Sequence, residues 1–246
     1  MNTPSSPLKT LYCHGLPGSG EEIASLLPET KPHIQTLKPL DFESFERLIV
    51  DHPPSRFHVI GFSLGAMTAL KLAAHFPENV SRLSLISPAA PLELGDFLPS
   101  MAGRPVFNMA LKGAGAFAVF TAFQWLGVRI APNRIIQTMF AGSPEADVAL
   151  LLDDSFQAAL LYGLKRSLGQ ESRLYRRAIL TYVQPWAHIL GGITCPVTLH
   201  HGALDNWTPL SMTHALEGEI GSSVDVKIYE RLGHYAALQT ALPLCL

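Results

Sequence analysis

Charge is scarce in this chain. Its 18 Lys and Arg and 20 Asp and Glu amount to 15% of 246 residues, where an average soluble domain carries about 25%. With a net charge of −2 there is no basic excess, and this argues against a nucleic-acid binder. Low hydrophobicity is missing too: 48% of the residues are hydrophobic, which excludes intrinsic disorder. Cysteine is sparse, with only Cys13, Cys195 and Cys245. An odd set without ligand spacing implies neither a disulfide framework nor a metal site. These thiols fit a reducing compartment, and Met1–Thr10 lacks the basic-then-apolar pattern of a secretory signal, so a cytoplasmic protein is expected. No hydrophobic run is long enough for a stable membrane span. The uncharged stretch Gly113–Val128 has 16 residues and is interrupted by Gly113, Gly115, Gln124 and Gly127, whereas a spanning helix needs about 20. It reads as a buried or interfacial helix. Neither an internal repeat nor a low-complexity tract is present.

What is there is an alternation of strand-like and helix-like segments. Leu8–Cys13 is β-prone and stops at His14-Gly15-Leu16-Pro17-Gly18-Ser19-Gly20, where one proline and three glycines force a loop. Ile34–Leu37 predicts a second strand and Phe42–Val50 a helix, ended by Asp51–Pro54. Phe57–Phe62 is apolar throughout, as in a strand covered on both faces. A helix is expected over Ala66–His75, then a strand at Val80–Ile86. From Pro91 to about Leu190 strand signals vanish. They resume at Pro196–His200, followed by a turn over Gly202–Pro209, a helix near Leu210–Glu219 and a strand at Val224–Tyr229. A short tail follows Gly233-His234. This order implies an α/β fold, a mostly parallel sheet with helices on both faces. Residues 1–91 and 191–246 would form the core and 92–190 an inserted helical cap.

The chemistry concentrates at strand ends. Gly61-Phe62-Ser63-Leu64-Gly65 sits at a strand-to-helix junction. A serine hydroxyl needs exposure beside a base to act as a nucleophile, and a tight strand–turn–helix bend provides it only with small flanking residues. The helix behind Ser63 directs N–H groups towards developing negative charge. A base and an orienting acid are then required. Asp205 follows one late strand and His234 the next, and loops at the carboxyl ends of parallel strands converge on one edge. Other candidates are weaker. His200 and His201 are adjacent, so they point to opposite faces of a strand. Asp225 lies near the start of its strand, the wrong end, and His214 falls on a surface helix. His14 buttresses the glycine-rich loop, which lacks the Lys-Ser/Thr ending of a nucleotide-binding P-loop. No cofactor is implied.

Four motifs in this order, HGLPGSG (14–20), GFSLG (61–65), HGALDNWTP (201–209) and GH (233–234), make the chain resemble the α/β-hydrolase superfamily. The resemblance covers most of the chain outside the cap. It implies Ser63 as nucleophile, His234 as general base and then acid, and Asp205 as the orienting carboxylate. It also implies an oxyanion hole built from the backbone N–H groups of Leu16 and Leu64. Two departures stand out. The antiparallel strands that precede the first strand in larger members are lacking, and only a stub follows His234 where a full helix is usual. A missing helix would expose one sheet face and favour an oligomer.

The cap reads as Met- and Phe-rich. Phe117, Phe120, Phe123 and Trp125 have the composition of a pocket for an acyl chain or ring, although the same spacing suits plain packing. The basic cluster from Lys165 to Arg177 reads as a solvated helix face, with an anion-reading surface as the alternative. The expected function is a serine ester hydrolase acting on small to medium apolar acyl substrates. Alternatives are the same triad used for C–C bond hydrolysis, lyase or thioesterase chemistry, or a non-catalytic binding module. A small-molecule ester or acyl compound is the expected partner.

Overall fold

A computed structural model describes residues 9–27, 34–51 and 56–246. The expected strand start at Leu8 and the break at residues 52–54 lie outside them. Six strands, β1 (Lys9–Cys13), β2 (Ile34–Leu37), β3 (Phe57–Phe62), β4 (Val80–Ile86), β5 (Val197–Gly202) and β6 (Val224–Tyr229), form one sheet. Its order is β2-β1-β3-β4-β5-β6, and every pairing is parallel. Parallel strands need crossover connections, and helices supply them. Between the early strands these are α1 (Glu21–Leu26), α2 (Phe42–Asp51) and α3 (Gly65–His75). Every residue of β3 is buried, because layers cover both faces of the central sheet. Phe45 of α2 anchors one layer, its ring 5.2 Å from Phe57 and 5.1 Å from Phe76.

Between β4 and β5 the regular elements are all helical. They are α4 (Arg104–Leu111), α5 (Ala114–Ile130), α6 (Pro132–Met139), α7 (Glu145–Ala149), α8 (Asp154–Lys165) and α9 (Ser172–Tyr182), with short 3-10 and π turns. Polar contacts close this segment on itself and tie it to the loop after β5. The Tyr182 hydroxyl donates to Ala90 O at 2.9 Å, and Ala102 N donates to Asn206 O at 2.7 Å. The Glu93 carboxylate accepts the amides of Trp186 and Ala187 at 2.5 and 2.6 Å. Among the described residues no single helix is long and apolar enough to cross a membrane, and α5 and α6 are bent by 117° where they meet.

After β5 come α10 (Ser211–Glu219), β6 and α11 (His234–Ala241). Where only a stub is expected after His234, the chain instead forms α11 and a 3-10 turn. Tyr235, Leu238, Ala241, Leu242 and Cys245 are buried, so the last thirteen residues cover the sheet through α11 and a 3-10 turn at Leu242–Cys245. The expected exposed sheet face, and the argument for an oligomer built on it, go with that stub.

The tightest backbone approach joins α3 to β1. A Cβ on Gly65 would lie 2.0 Å from Cys13 O, and one on Gly61 would lie 2.8 Å from Ala66 Cα. Glycine is therefore required at both positions for the helix to start directly behind the strand. Gly65→Ala is expected to lower stability by about 3 kcal/mol, the upper range for overpacking. Chemical denaturation of the two proteins checks this.

Candidate active site

The sheet order sets the location. β1 connects outward to β2 on one side, and the chain then crosses to β3 on the other. This reversal opens a crevice at the carboxyl ends of β1 and β3. Cys13 pairs with Gly61 in register, so the loop 14–20 leaves the sheet beside Phe62 and Ser63. Ser63 has φ +54°, a left-handed conformation uncommon for non-glycine residues. It is fixed by Ser63 N donating to Ile86 O at 3.0 Å and by Ala66 N and Ala89 N donating to Ser63 O, both at 3.1 Å. A Cβ on Gly15 would lie 3.0 Å from the Ser63 Cβ. Close packing thus over-determines the bend, as strained functional turns require.

Asp205 and His234 meet directly. The His234 Nδ1 donates to Asp205 Oδ2 at 2.7 Å, with both side chains buried. The other carboxylate oxygen accepts the amides of Trp207 at 2.8 Å and Thr208 at 3.0 Å. The Thr208 hydroxyl lies 3.0 Å from Oδ2. Burial pushes the Asp205 carboxyl up, but His234, His201 and the Thr208 amide outweigh it and hold the group below its ordinary value. An ionised carboxylate on Nδ1 fixes the tautomer that leaves Nε2 free as a base. The imidazole is clamped between rings, with Trp207 stacked at 5.3 Å and 7° and Phe62 at 4.7 Å. Phe62 directly precedes Ser63, which connects the serine turn to the histidine. His201 lies 3.6 Å from Asp205 Oδ2, yet its own ring is engaged by Thr213 Oγ1 and Thr208 O. Burial lowers its pKa, against the pull of Asp205 and of the hydrogen bond to Thr208 O.

Two buried carboxylates escaped the sequence reading. Asp147, on α7, accepts His234 N at 2.7 Å and Ala236 N at 2.8 Å. It therefore caps the first turn of α11, the turn that carries His234, although it comes from a distant part of the chain. A Cβ on Gly233 would lie 2.5 Å from Asp147 Oδ2, so the glycine before the histidine makes room for this cap. No local motif signals Asp147. Glu22 supports the glycine-rich loop. It accepts the Tyr12 hydroxyl at 2.6 Å and the Gly15 amide. Burial pushes its pKa up to about 8 against the pull of both hydrogen bonds. His14 Nδ1 donates to Gly15 O at 2.8 Å, the buttressing role expected of it.

A cavity of about 200 Å³ lies against Ser63 and is lined by Leu16, Leu64, Trp207 and Thr208 from the core loops. Phe107, Val128, Leu168 and Ile179 line it from the helical segment. Neither Asp205 nor His234 is part of this wall, and the four aromatics expected there are not either. Phe117 is fully buried but packs on Tyr175 at 5.9 Å. Phe120 is half-buried against the core, and Phe123 is 68% exposed. Trp125 packs over Gly169 and lines a surface hollow with Tyr162, Lys165 and Arg166. The reason is helical phase. Steps of three residues rotate a helix position by about 60° each turn, so the three phenylalanines fan from interior to solvent. The inward face of α5 is instead Phe117, Thr121, Gln124 and Val128.

Two outcomes follow from the buried carboxylates. Asp147→Ala is expected to cost about 2 kcal/mol, as for a strong N-cap, with Asp147→Asn retaining part of it. Urea unfolding measures both. For Glu22 the sign is fixed by proton uptake. Its ordinary value is 4.5 and its folded value about 8, so between these the folded state holds more protons. Stability therefore falls as pH rises through that window, by on the order of a few kcal/mol. Glu22→Gln flattens the profile, and unfolding free energies measured across pH 4 to 9 (about the span of the two values) test it.

Comparison with known proteins places this geometry in a family. Two pimeloyl-[acyl-carrier protein] methyl ester esterases of Neisseria meningitidis are 26% identical over 206 residues, or 83% of this chain. The match spans 59% of the serogroup A protein and 72% of the serogroup C protein. An esterase from Exiguobacterium antarcticum superposes with a TM-score of 0.60 at 16% identity, covering 98% of this chain and 90% of that one. A thermophilic esterase from Thermogutta terrifontis gives 0.63 at 14% identity, covering 98% and 87%. At these identities the two structures speak for the fold alone. The sequence profile of the alpha/beta hydrolase family matches residues 9–242, and the chain belongs to that family.

Proposed function

We propose that this chain is a serine carboxylesterase for small, mainly apolar esters, working through an acyl-enzyme. The observation that carries the reading is the buried 2.7 Å contact between His234 Nδ1 and Asp205, at the sheet edge where Ser63 occupies its left-handed turn. His234 Nε2 takes the proton of the Ser63 hydroxyl, and Ser63 Oγ attacks the ester carbonyl carbon. The Leu16 and Leu64 amides hold the oxyanion, a contribution of about 3 kcal/mol for each such donor. His234 then gives its proton to the departing alcohol. A water deprotonated by His234 attacks the acyl carbon, and the acid leaves as Ser63 regains its proton.

The helical stretch 92–190 acts in this reading as a cap over a core of residues 1–91 and 191–246. The cavity size supports a small substrate, since an apolar void of about 150 Å³ holds benzene. Ester hydrolysis also agrees with the activity for which the Neisseria relatives are named. Three free, buried cysteines support a reducing, cytoplasmic setting.

The test is a panel of p-nitrophenyl esters of graded chain length, assayed with wild type and Ser63→Ala. Loss of about 10⁴-fold or more in kcat is expected, together with loss of fluorophosphonate labelling. Wild-type rates in Ser63→Ala would sink the mechanism.

A further inference from the structure

The wall of the cavity beside Ser63 is apolar over most of its extent, and it contains no Asp, Glu, Lys, Arg or His side chain. One place on it differs. Gln124 of α5 and Tyr175 of α9 both line the cavity and face one another. The Gln124 amide N–H reaches the Tyr175 oxygen only weakly, and neither Gln124 Oε1 nor the Tyr175 hydroxyl makes a hydrogen bond of ordinary geometry. Tyr175 is 1% exposed. Among the described residues only two other buried side-chain polar atoms lack a partner, His58 Nδ1 and Trp186 Nε1, and neither residue lines this cavity. Unpaired buried polar atoms are costly and rare in native interiors, so two together on a cavity wall call for an occupant.

The chemistry of the pair restricts that occupant. Burial raises the phenol of Tyr175 above its ordinary value, which keeps it a neutral donor. Gln124 Oε1 is a neutral acceptor. A carboxylate or ammonium group entering here would find no counter-charge on the wall and would lose its hydration. A hydroxyl satisfies both atoms at once, accepting from Tyr175 and donating to Gln124. We propose that Gln124 and Tyr175 form a subsite for an uncharged hydroxyl on the part of the substrate that fills the cavity. The pocket then selects hydroxylated acyl groups over purely hydrocarbon ones. A site built to bind a hydroxyl rejects the analogue that lacks it, because its own polar atoms are left unpaired.

The kinetic consequence rests on the proposed role of Ser63; the binding does not. The experiment therefore has two arms. In the first, p-cresol and toluene, both small enough for a cavity of this volume, are titrated calorimetrically into wild type, Tyr175→Phe and Gln124→Leu. Each substitution is expected to weaken p-cresol about tenfold and to leave toluene within about twofold. In the second arm, p-nitrophenyl phenylpropanoate and its ring-hydroxylated counterpart are compared by kcat/KM. Wild type should favour the hydroxylated ester by about tenfold, and both variants should bring the ratio near one. Equal binding of p-cresol by wild type and variants overturns the subsite, as does turnover without any preference. Selective p-cresol binding with no turnover and no fluorophosphonate labelling of Ser63 upholds the subsite and removes the esterase reading instead. Gln124 is only half-buried, so Gln124→Leu keeps the test available if Tyr175→Phe fails to fold.

Discussion

The contact between Asp205 and His234 makes demands on everything around it. A carboxylate taken out of water costs several kcal/mol unless its oxygens find donors and a partner charge. Here Trp207 N, Thr208 N, the Thr208 hydroxyl and His234 Nδ1 occupy those oxygens. Three of the four donors come from the single turn after β5, which explains why the carboxylate sits so soon after the strand end. The fourth comes from α11, so the sheet must hold β5 and β6 in fixed register for the pair to close. The aromatic clamp of Trp207 and Phe62 adds a further constraint, because it leaves the imidazole one plane in which to lie.

Low overall charge gives these buried carboxylates unusual weight. Asp205, Asp147 and Glu22 each bind backbone amides of the loop or helix that frames the crevice. Asp205 organises the turn after β5, Asp147 the start of α11, and Glu22 the loop after β1. All three are buried, but their surroundings push them differently. Asp205 meets a potential cation and is held low, whereas Glu22 has only neutral donors and burial raises it. The same residue chemistry therefore gives one group that stays ionised and one that titrates near neutrality.

The sheet was largely legible in the sequence, and so was the position of Ser63. β3 is apolar at every position, and the glycines of GFSLG are demanded by contacts one bond away, so local pattern and tertiary need coincide. Asp205 and His234 were legible as residues at strand ends, since parallel topology gathers those ends. Where the reading failed, the deciding contacts were distant in sequence. The segment after His234 has too little periodicity to announce a helix, yet Leu238, Ala241 and Leu242 are buried against the sheet. Asp147 lies 87 residues from the amide it caps. Composition marks the aromatic residues of α5 as pocket-like, but composition carries no phase. Phe123 and Ile130 are 68% and 73% exposed, while the inconspicuous Gln124 faces inward.

That last reversal bears on how the site divides its labour. Ser63, Asp205 and His234 all stand on the sheet and its edge loops, where register and close glycine contacts leave little room to vary. The residues that shape the cavity come mainly from the segment between β4 and β5, and helix faces there are free to exchange side chains without disturbing the strands. Rigid groups would thus carry bond chemistry and adjustable ones would carry selection. Asp147 is one link between the two, reaching from α7 to the turn that holds His234; Trp207 Nε1 on Ser143 Oγ and Ala102 N on Asn206 O are others. On the proposed function, selection and chemistry would be separable by residue yet joined through these hydrogen bonds.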